Sequence, residues 1–443
     1  MRVMLENPAS QQPSYPDQQA LDTVVSQLEA AKPLVEYDRV AALSDQLGRV
    51  ANREAFLLQA GSCTESLSHG RAEVHGLMDV VLPMTTTLMY AAGMPVVKIG
   101  RVAGQYTKPR SADTEVKGGI ALPSFRGESV NGPAFNEEDR TPDPERMLKA
   151  YRHSAQMITI LSELAEHGYS DLENAHEWNQ RLLRNAPSES LEEYQEIIDQ
   201  VSRAIRFMKA AGIDVANMKT LHEASIFTSH EALLLPYELA LIRQAESGEL
   251  YDSSAHQIWI GERTRQINGA HVELATKVVN PRAVKVGPSI DTDELLELVE
   301  KLNPDNTPGR LTLISRMGKD HIRTELPRLM RATKAAGAAI VWACDPMHGN
   351  TITHGSHKTR RFEDIVAETN SFFDVADETG EWPGGLHIEA TGDNVTECIG
   401  GSVDEVLAER LADNYLTLVD PRLNQLQSLE LGLLAAKRLA EFA

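Results

Sequence analysis

Eight short apolar runs, each broken off abruptly by polar or charged residues, recur between residues 54 and 392. They are EAFLLQAGSC (54–63), PVVKIGRVAG (95–104), a weaker run ending in IFTSHE (218–231), HQIWIGERTR (256–265), AVKVGP (283–288), RLTLISRMG (310–318), AAIVWACDPMHG (338–349) and GLHIEATG (385–392). A strand covered on both faces shows a continuous apolar run, so these read as strands of a parallel sheet. Helical stretches at 75–92, 231–246, 268–279, 291–303, 319–336 and 359–379 separate most of them. Strand and helix alternating eight times predict an α/β fold closed into a (β/α)8 TIM barrel. An open doubly wound sheet is the main competitor, and the GxGxxG expected after its first strand is absent.

The barrel is expected over residues 54–443, preceded by an N-terminal unit over 1–53. Residues 1–19 are rich in Pro and Gln and read as an extended arm, followed by amphipathic helices at 20–31 and 38–52. Between the second and third strands lies a helical insertion at about 143–212, with a long helix near 143–168 and a pair near 171–184 and 188–212. So long an excursion serves as a lid, an interface, a regulatory module or an added hairpin. Residues 424–442 read as a closing helix after the turn at Asp420 and Pro421, in a loop that interrupts two helices.

In such folds the chemistry gathers at the carboxyl ends of the strands. The stretch after the seventh strand puts Asp345, His348, Lys358, Arg360 and Arg361 in one loop. Cys63 ends the first strand, Glu389 lies in the eighth, and Asp420 follows. A thiolate, an imidazole and two carboxylates form a mixed soft and hard donor set suited to Mn, Co, Fe or Zn rather than Ca or Mg. Read singly, Cys63 is also an ordinary core residue, and Glu389 or Asp420 an ordinary ion pair. Cys344 and Cys398 read as small buried apolar residues.

The chain carries 64 acidic against 43 basic residues, a net charge of -21. That balance argues against nucleic acid or an anionic membrane as partner and makes recurrent cations conspicuous. Arg101, Lys108 and Arg110 follow the second strand, Arg263 and Arg265 the fourth, Arg316 the sixth and Lys358 the seventh, while Lys285 lies inside the fifth. Arginine forks suit phosphate and carboxylate oxygens, so this set predicts an anionic, phosphate-bearing substrate. Lys285, within RAVKVGP, would cost several kcal/mol if buried without a partner. Ser111 adds a hydroxyl beside them. In TSHEALLL, Ser229 reads as a helix cap and His230 as a residue able to face the mouth. No apolar run approaches the ~20 residues that span a bilayer, and the amino terminus lacks a signal peptide's apolar core. A cytoplasmic protein without a disulfide framework is expected. No nucleophile elbow, P-loop or Rossmann fingerprint is present.

The segments KIGRVAGQYTKPRS (98–111), SFRGESVNG (124–132), TSHEALLL (228–235), WIGERTRQINGAH (259–271), DPMHGNT (345–351), PGGLHIEATGDNVTEC (383–398) and DPRLNQLQSLEL (420–431) resemble the class II, plant-like 3-deoxy-D-arabino-heptulosonate 7-phosphate (DAHP) synthases. The resemblance implies the same barrel and the condensation of phosphoenolpyruvate with erythrose 4-phosphate, the first step of the shikimate pathway. It implies Cys63, His348, Glu389 and Asp420 as ligands of a divalent metal, Mn or Co ahead of Zn or Fe. It places Arg101, Lys108, Arg263, Lys285, Arg316 and Glu262 around phosphoenolpyruvate, and Arg110, Ser111 and Lys358 on the erythrose 4-phosphate side. Lys108, Glu262, Lys285 and His348 are the expected catalytic residues, with Glu262 orienting the attacking water.

The resemblance also implies a homodimer or homotetramer, with chorismate mutase or aromatic amino acids as partners or effectors. Two departures stand out. QAGSCTES replaces the family's usual QGGDCAE, and Pro236 stands where Asp is common. They leave open an amino-DAHP synthase with an altered acceptor. A regulatory, non-catalytic barrel would be expected to have lost a ligand or a cation, and none is lost. A metal-dependent hydrolase on the same barrel would want His-rich ligation after the first strand, where only Cys63 is offered.

Overall fold

The computed structural model describes residues 3–166, 192–211 and 226–442. Its centre is a closed barrel of eight parallel strands: β1 (Phe56–Gly61), β2 (Val96–Arg101), β3 (Phe227–Glu231), β4 (Gln257–Ile260), β5 (Arg282–Val286), β6 (Leu311–Ser315), β7 (Val341–Cys344) and β8 (Gly385–Glu389). Each lies within one of the eight apolar runs, save that β5 begins one residue before its run, and β1 pairs with both β2 and β8 to close the ring. All eight are buried along their whole length, apart from half-buried Lys98, which is why no polar alternation marks them in the sequence.

The helices used below are α1 (Gln18–Glu29), α2 (Tyr37–Ala51), α3 (Arg71–Ala92), α4 (Glu145–Glu166), α5 (Glu192–Ala210), α6 (Leu235–Leu241), α7 (Ala270–Lys277), α8 (Thr292–Leu302), α9 (Ile322–Ala335), α10 (Phe362–Thr379) and α11 (Gln425–Ala440). Outward residues of the strands, such as Phe56, Leu58, Leu313 and Ile388, join Val81, Leu298, Leu329 and Phe372 of these helices in one large core. At the amino-terminal end of the barrel, Leu43, Leu47 and Val50 of α2 pack on Leu57, Val97, Ile99, Phe227 and Val341 and seal it. Only the carboxyl end stays open.

Three local expectations need correction. The helix expected at 231–246 spans only Leu235–Leu241, because Ile242–Gln244 pairs antiparallel with Leu250–Asp252 around a turn in which Gly248 takes a positive φ of 90°. Ser229 is no helix cap: it sits inside β3, its hydroxyl accepting from Gln59 Nε2 at 2.8 Å and donating to the Gly100 carbonyl at 3.2 Å. The segment before Asp420 is irregular, with a single 3-10 turn at Ala408–Arg410, so the loop does not interrupt two helices. The helix expected at 171–184 and the start of the third run, 218–225, lie outside the described residues. Among the described residues, no helix is long and apolar enough to cross a membrane.

Candidate active site

A cavity of about 220 Å³ opens at the carboxyl ends of the strands. Cys63, Arg101, Lys108, Glu262, Arg263, Lys285, Arg316, His348, Lys358 and Asp420 line it, whereas Glu389 lies beneath it, and Arg110, Ser111, Arg265, His230 and Arg361 are not in its wall. The close approach of β1, β2 and β8 is set by Gly61, paired with both Arg101 and Glu389. A Cβ at this glycine would lie 2.7 Å from the Arg101 carbonyl oxygen, and its φ of +144° disfavours any other residue. That approach lets Arg101 Nη2 donate to Glu389 Oε1 at 3.0 Å with both side chains buried.

The thiol of Cys63 and carboxylate oxygens of Glu389 and Asp420 lie within 4.8 Å of one another. His348, in a short 3-10 turn, sets Nε2 3.2 Å from Glu389 Oε1 and Nδ1 2.7 Å from Asp345 Oδ2. An ionised carboxylate only accepts, so the ring donates to Asp345 through Nδ1, which leaves Nε2 directed at the cluster. Asp345 is itself fixed by the backbone N–H groups of Met347 and His348, at 3.0 and 3.2 Å. A thiol and two carboxylates so close together, with a ring nitrogen beside one of them, call for a cation. The ammonium of Lys108 stands there, 2.9 Å from Cys63 Sγ, 2.7 Å from Asp420 Oδ2 and 3.8 Å from Glu389 Oε1. The donor set therefore fits a divalent ion.

The charges respond to this crowding. Burial alone would raise the carboxyl of Glu389, but His348, Arg360, Lys108 and Arg101 outweigh it and hold the group well below the usual range. Asp420 is likewise held down, chiefly by Lys108 against burial. Burial pushes the Cys63 thiol up to about 12, with Glu389 adding to it and Lys108 opposing. A thiol so placed ionises only against a stronger cation than an ammonium.

The other wall is cationic. Arg101 leaves Nε and Nη1 without partners, its guanidinium 5.3 Å from the Trp259 ring centroid. Lys285 is buried and bonded to Asp345; burial lowers its pKa to about 8, with Asp345 resisting. Arg263 and Arg316 also line the cavity, Arg263 donating to Ser111 Oγ at 2.9 Å. Lys358 reaches Asp420 Oδ1 at 3.1 Å. Arg110 points away, its Nη2 2.9 Å from Glu115 Oε1. Arg265 pairs with Glu262 and Glu294 rather than facing the mouth.

Two residues of this mouth, Glu231 and Gly261, were not singled out for the site from sequence, and two that were placed in the loop after the seventh strand, Asp345 and Arg360, had no role assigned. Glu231 lines the cavity with Oε1 unpartnered, and burial raises its carboxyl. Gly261 makes the room, since a Cβ there would sit 2.1 Å from that oxygen. Asp345 ties Lys285 to His348, and the fully buried Arg360 neutralises Glu389 Oε2 at 2.8 Å and reaches the Pro421 carbonyl. Strand alternation carries the signal for Glu231: it points inward with Ser229, while His230 points outward and bonds Glu238 at 3.0 Å. By contrast with Glu231, both oxygens of Glu262 are taken, by Arg265 and by the Gly287 N–H at 2.7 Å.

Residues 2–436 match the profile of the Class-II DAHP synthetase family. The chain is 46% identical over 433 residues to the phospho-2-dehydro-3-deoxyheptonate aldolase of Streptomyces coelicolor, covering 97% of this chain and 95% of that protein. It is 42% identical over 445 residues to phospho-2-dehydro-3-deoxyheptonate aldolase AroG of Mycolicibacterium smegmatis, covering 99% and 94%. Among solved structures, a truncated 3-deoxy-D-arabino-heptulosonate 7-phosphate synthase from Thermotoga maritima aligns at 13% identity and TM-score 0.33, over 86% of this chain and 84% of that one. That last likeness is too slight to bear on function.

Proposed function

The chain belongs to the class-II DAHP synthetase family, and from that premise we propose how its barrel mouth condenses phosphoenolpyruvate with erythrose 4-phosphate to DAHP and phosphate. In this reaction C3 of the enolpyruvate bonds to the aldehyde carbon, water adds at C2, and phosphate leaves. The observation that carries the residue assignment is the apposition of a cation-lined wall and a thiol, imidazole and carboxylate cluster across one small cavity.

Arg101, Lys285, Arg263, Arg316 and Lys108 would hold the carboxylate and phosphate of phosphoenolpyruvate. Fixed cations in a site shielded from bulk water stabilise charge without reorganising as it develops, and they hold the enol carbon in line with the aldehyde. Ser111 and Lys358, toward the rim, and Arg110 once it turns from Glu115 to an incoming anion, would serve the acceptor phosphate. Cys63, His348, Glu389 and Asp420 would hold a divalent ion, Mn or Co in our reading with Fe and Zn also suited, which polarises the acceptor carbonyl when bound. Glu231, with a free oxygen inside the cavity, is better placed than Glu262 to orient water or exchange a proton. Glu262 instead fixes the loop after β5 through Gly287.

Neither departure from the family pattern touches the cavity. Ser62 lines a small separate pocket behind it and Pro236 the groove beside α1. This favours erythrose 4-phosphate over an aminated acceptor. The test is phosphoenolpyruvate consumption by protein stripped of metal and then supplied with Mn or Co. Metal-dependent release of phosphate with a seven-carbon keto acid phosphate is expected, and metal binding without turnover on this acceptor would overturn the reading.

A further inference from the structure

The Pro- and Gln-rich arm has no part in the reaction as described so far, yet it is tied to the barrel at several points. The backbone N–H groups of Glu6 and Asn7 both donate to Glu273 Oε2 at 2.9 Å, and the Pro8 carbonyl accepts from Ala270 at 3.0 Å. Farther on, the Gln12 carboxamide donates to the Leu233 carbonyl at 2.8 Å and accepts from the Leu235 N–H at 3.1 Å. Between these anchors Gln11 takes a φ of +61°, a region that side chains other than glycine rarely adopt. Strain of this kind persists where surrounding contacts hold it in place.

The contacts made by Gln11 converge on one loop. Its Oε1 accepts from the Arg110 N–H at 2.9 Å and from Arg126 Nη1 at 3.3 Å, and its own carbonyl accepts from the same Nη1 at 3.3 Å. Arg110 and Arg126 stand at the two ends of an excursion that runs through the ribbon Thr114–Lys117 and Ile120–Pro123, exposed along most of its length. The ends are further tied by Lys108 N–H donating to the Arg126 carbonyl at 2.8 Å. The segment so clamped carries Lys108 into the cavity and Arg110 and Ser111 to its rim.

We propose that Gln11 is a positioning residue for the acceptor substrate, holding the Lys108–Ser111 segment where a sugar phosphate meets Arg110 and Ser111. This rests on the acceptor-side reading given above. A neutral carboxamide suits the place, because it binds both N–H donors without adding negative charge beside an incoming phosphate. Phosphoenolpyruvate is held mainly from β2, β4, β5 and β6, and Lys108, the one cation of its set on the clamped segment, is held at its ammonium by Cys63 Sγ and Asp420 Oδ2, so its binding depends little on the clamp.

The test compares Gln11→Met, which keeps the length and loses the acceptor, with Gln11→Gly, which also loses it but relieves the strained backbone. Both are expected to raise KM for erythrose 4-phosphate about five- to tenfold, the worth of a hydrogen bond or two. KM for phosphoenolpyruvate and kcat should stay within about twofold, while melting temperatures differ between the variants. Unchanged acceptor KM in both, an equal rise in both KM values, or a rise confined to the less stable variant would overturn the proposal. Wild-type protein that fails to turn over erythrose 4-phosphate would instead overturn the acceptor reading, and this inference with it.

Discussion

Replacing Asp345 by Asn separates two duties that one buried carboxylate performs. Asp345 accepts from the Lys285 ammonium and from His348 Nδ1, and burial makes both contacts strong. Breaking a buried ion pair by removing one partner costs about 3–5 kcal/mol when the other charge stays. Lys285 has an escape. Its pKa stands at about 8 with Asp345 raising it, so loss of that carboxylate moves the pKa lower still. Near neutral pH the lysine then sheds its proton and part of the penalty disappears. We therefore expect a loss of about 2–3 kcal/mol, equivalent to roughly 3 °C in Tm for a chain of 443 residues at about 2.1 cal/mol/K per residue.

The functional loss should be larger than the structural one. A neutral Lys285 no longer holds an anion, so KM for phosphoenolpyruvate at pH 7.5 should rise by about tenfold or more. The sign follows from the charge: lysine is a cation below its pKa, so phosphoenolpyruvate binding is intact below about pH 8 in the wild type and fades as pH rises through 8. In Asp345→Asn that limb moves to lower pH. Freed from its carboxylate, His348 also loses its orientation, and metal affinity should fall about 10- to 100-fold. Kinetics across pH 6–9 and titration calorimetry with Mn check both. An unshifted pH limb together with wild-type metal affinity would refute the reasoning.

Other substitutions divide the site further. Cys63→Ser should weaken Co and Zn binding more than Mn binding, since it removes the one soft donor; calorimetric titration of metal-stripped protein reads this directly. Glu231→Gln should lower kcat by about 10²-fold or more with little change in either KM, whereas Glu262→Gln, with both oxygens already engaged, should act mainly through stability. Steady-state kinetics with matched melting curves would expose a reversal of that order. Arg360→Met strands a buried carboxylate and should cost about 3–5 kcal/mol, read as a lower midpoint in urea.

Much of this was legible in the sequence because the strands are short, apolar on both faces and followed at once by charge. Arg101, Lys285 and Glu389 lie within those strands, Arg316 and Cys63 one or two residues beyond, and Arg263, His348 and Lys108 within seven, so position along the chain nearly fixes position in the mouth. Direction is harder to read. Arg110 has the right place in the loop but is drawn aside by Glu115, a residue of the exposed ribbon. His230 and Glu231 are adjacent, and only the alternation of β3 decides that the carboxylate enters the cavity while the imidazole turns to Glu238. Asp345 and Arg360 stand in the signature loop, yet their roles depend on Lys285 and Glu389, which come from other strands.

Glu389 shows why the mouth behaves as one unit. Its Oε1 faces Arg101 at 3.0 Å, His348 Nε2 at 3.2 Å and Lys108 at 3.8 Å, while its Oε2 faces Arg360 at 2.8 Å. Arg101 and Lys108 belong to the wall assigned to phosphoenolpyruvate, and His348 to the donors assigned to metal. The same buried carboxylate thus balances both halves, and a change of charge on either side alters the field felt by the other over distances too short for solvent to screen. Substitutions across the two halves will not add, because they share this partner. In a chain whose net charge is -21, such a knot of cations persists only where fixed carboxylates hold it together, and Glu389, Asp345 and Asp420 do so from beneath and beside the place the substrates meet.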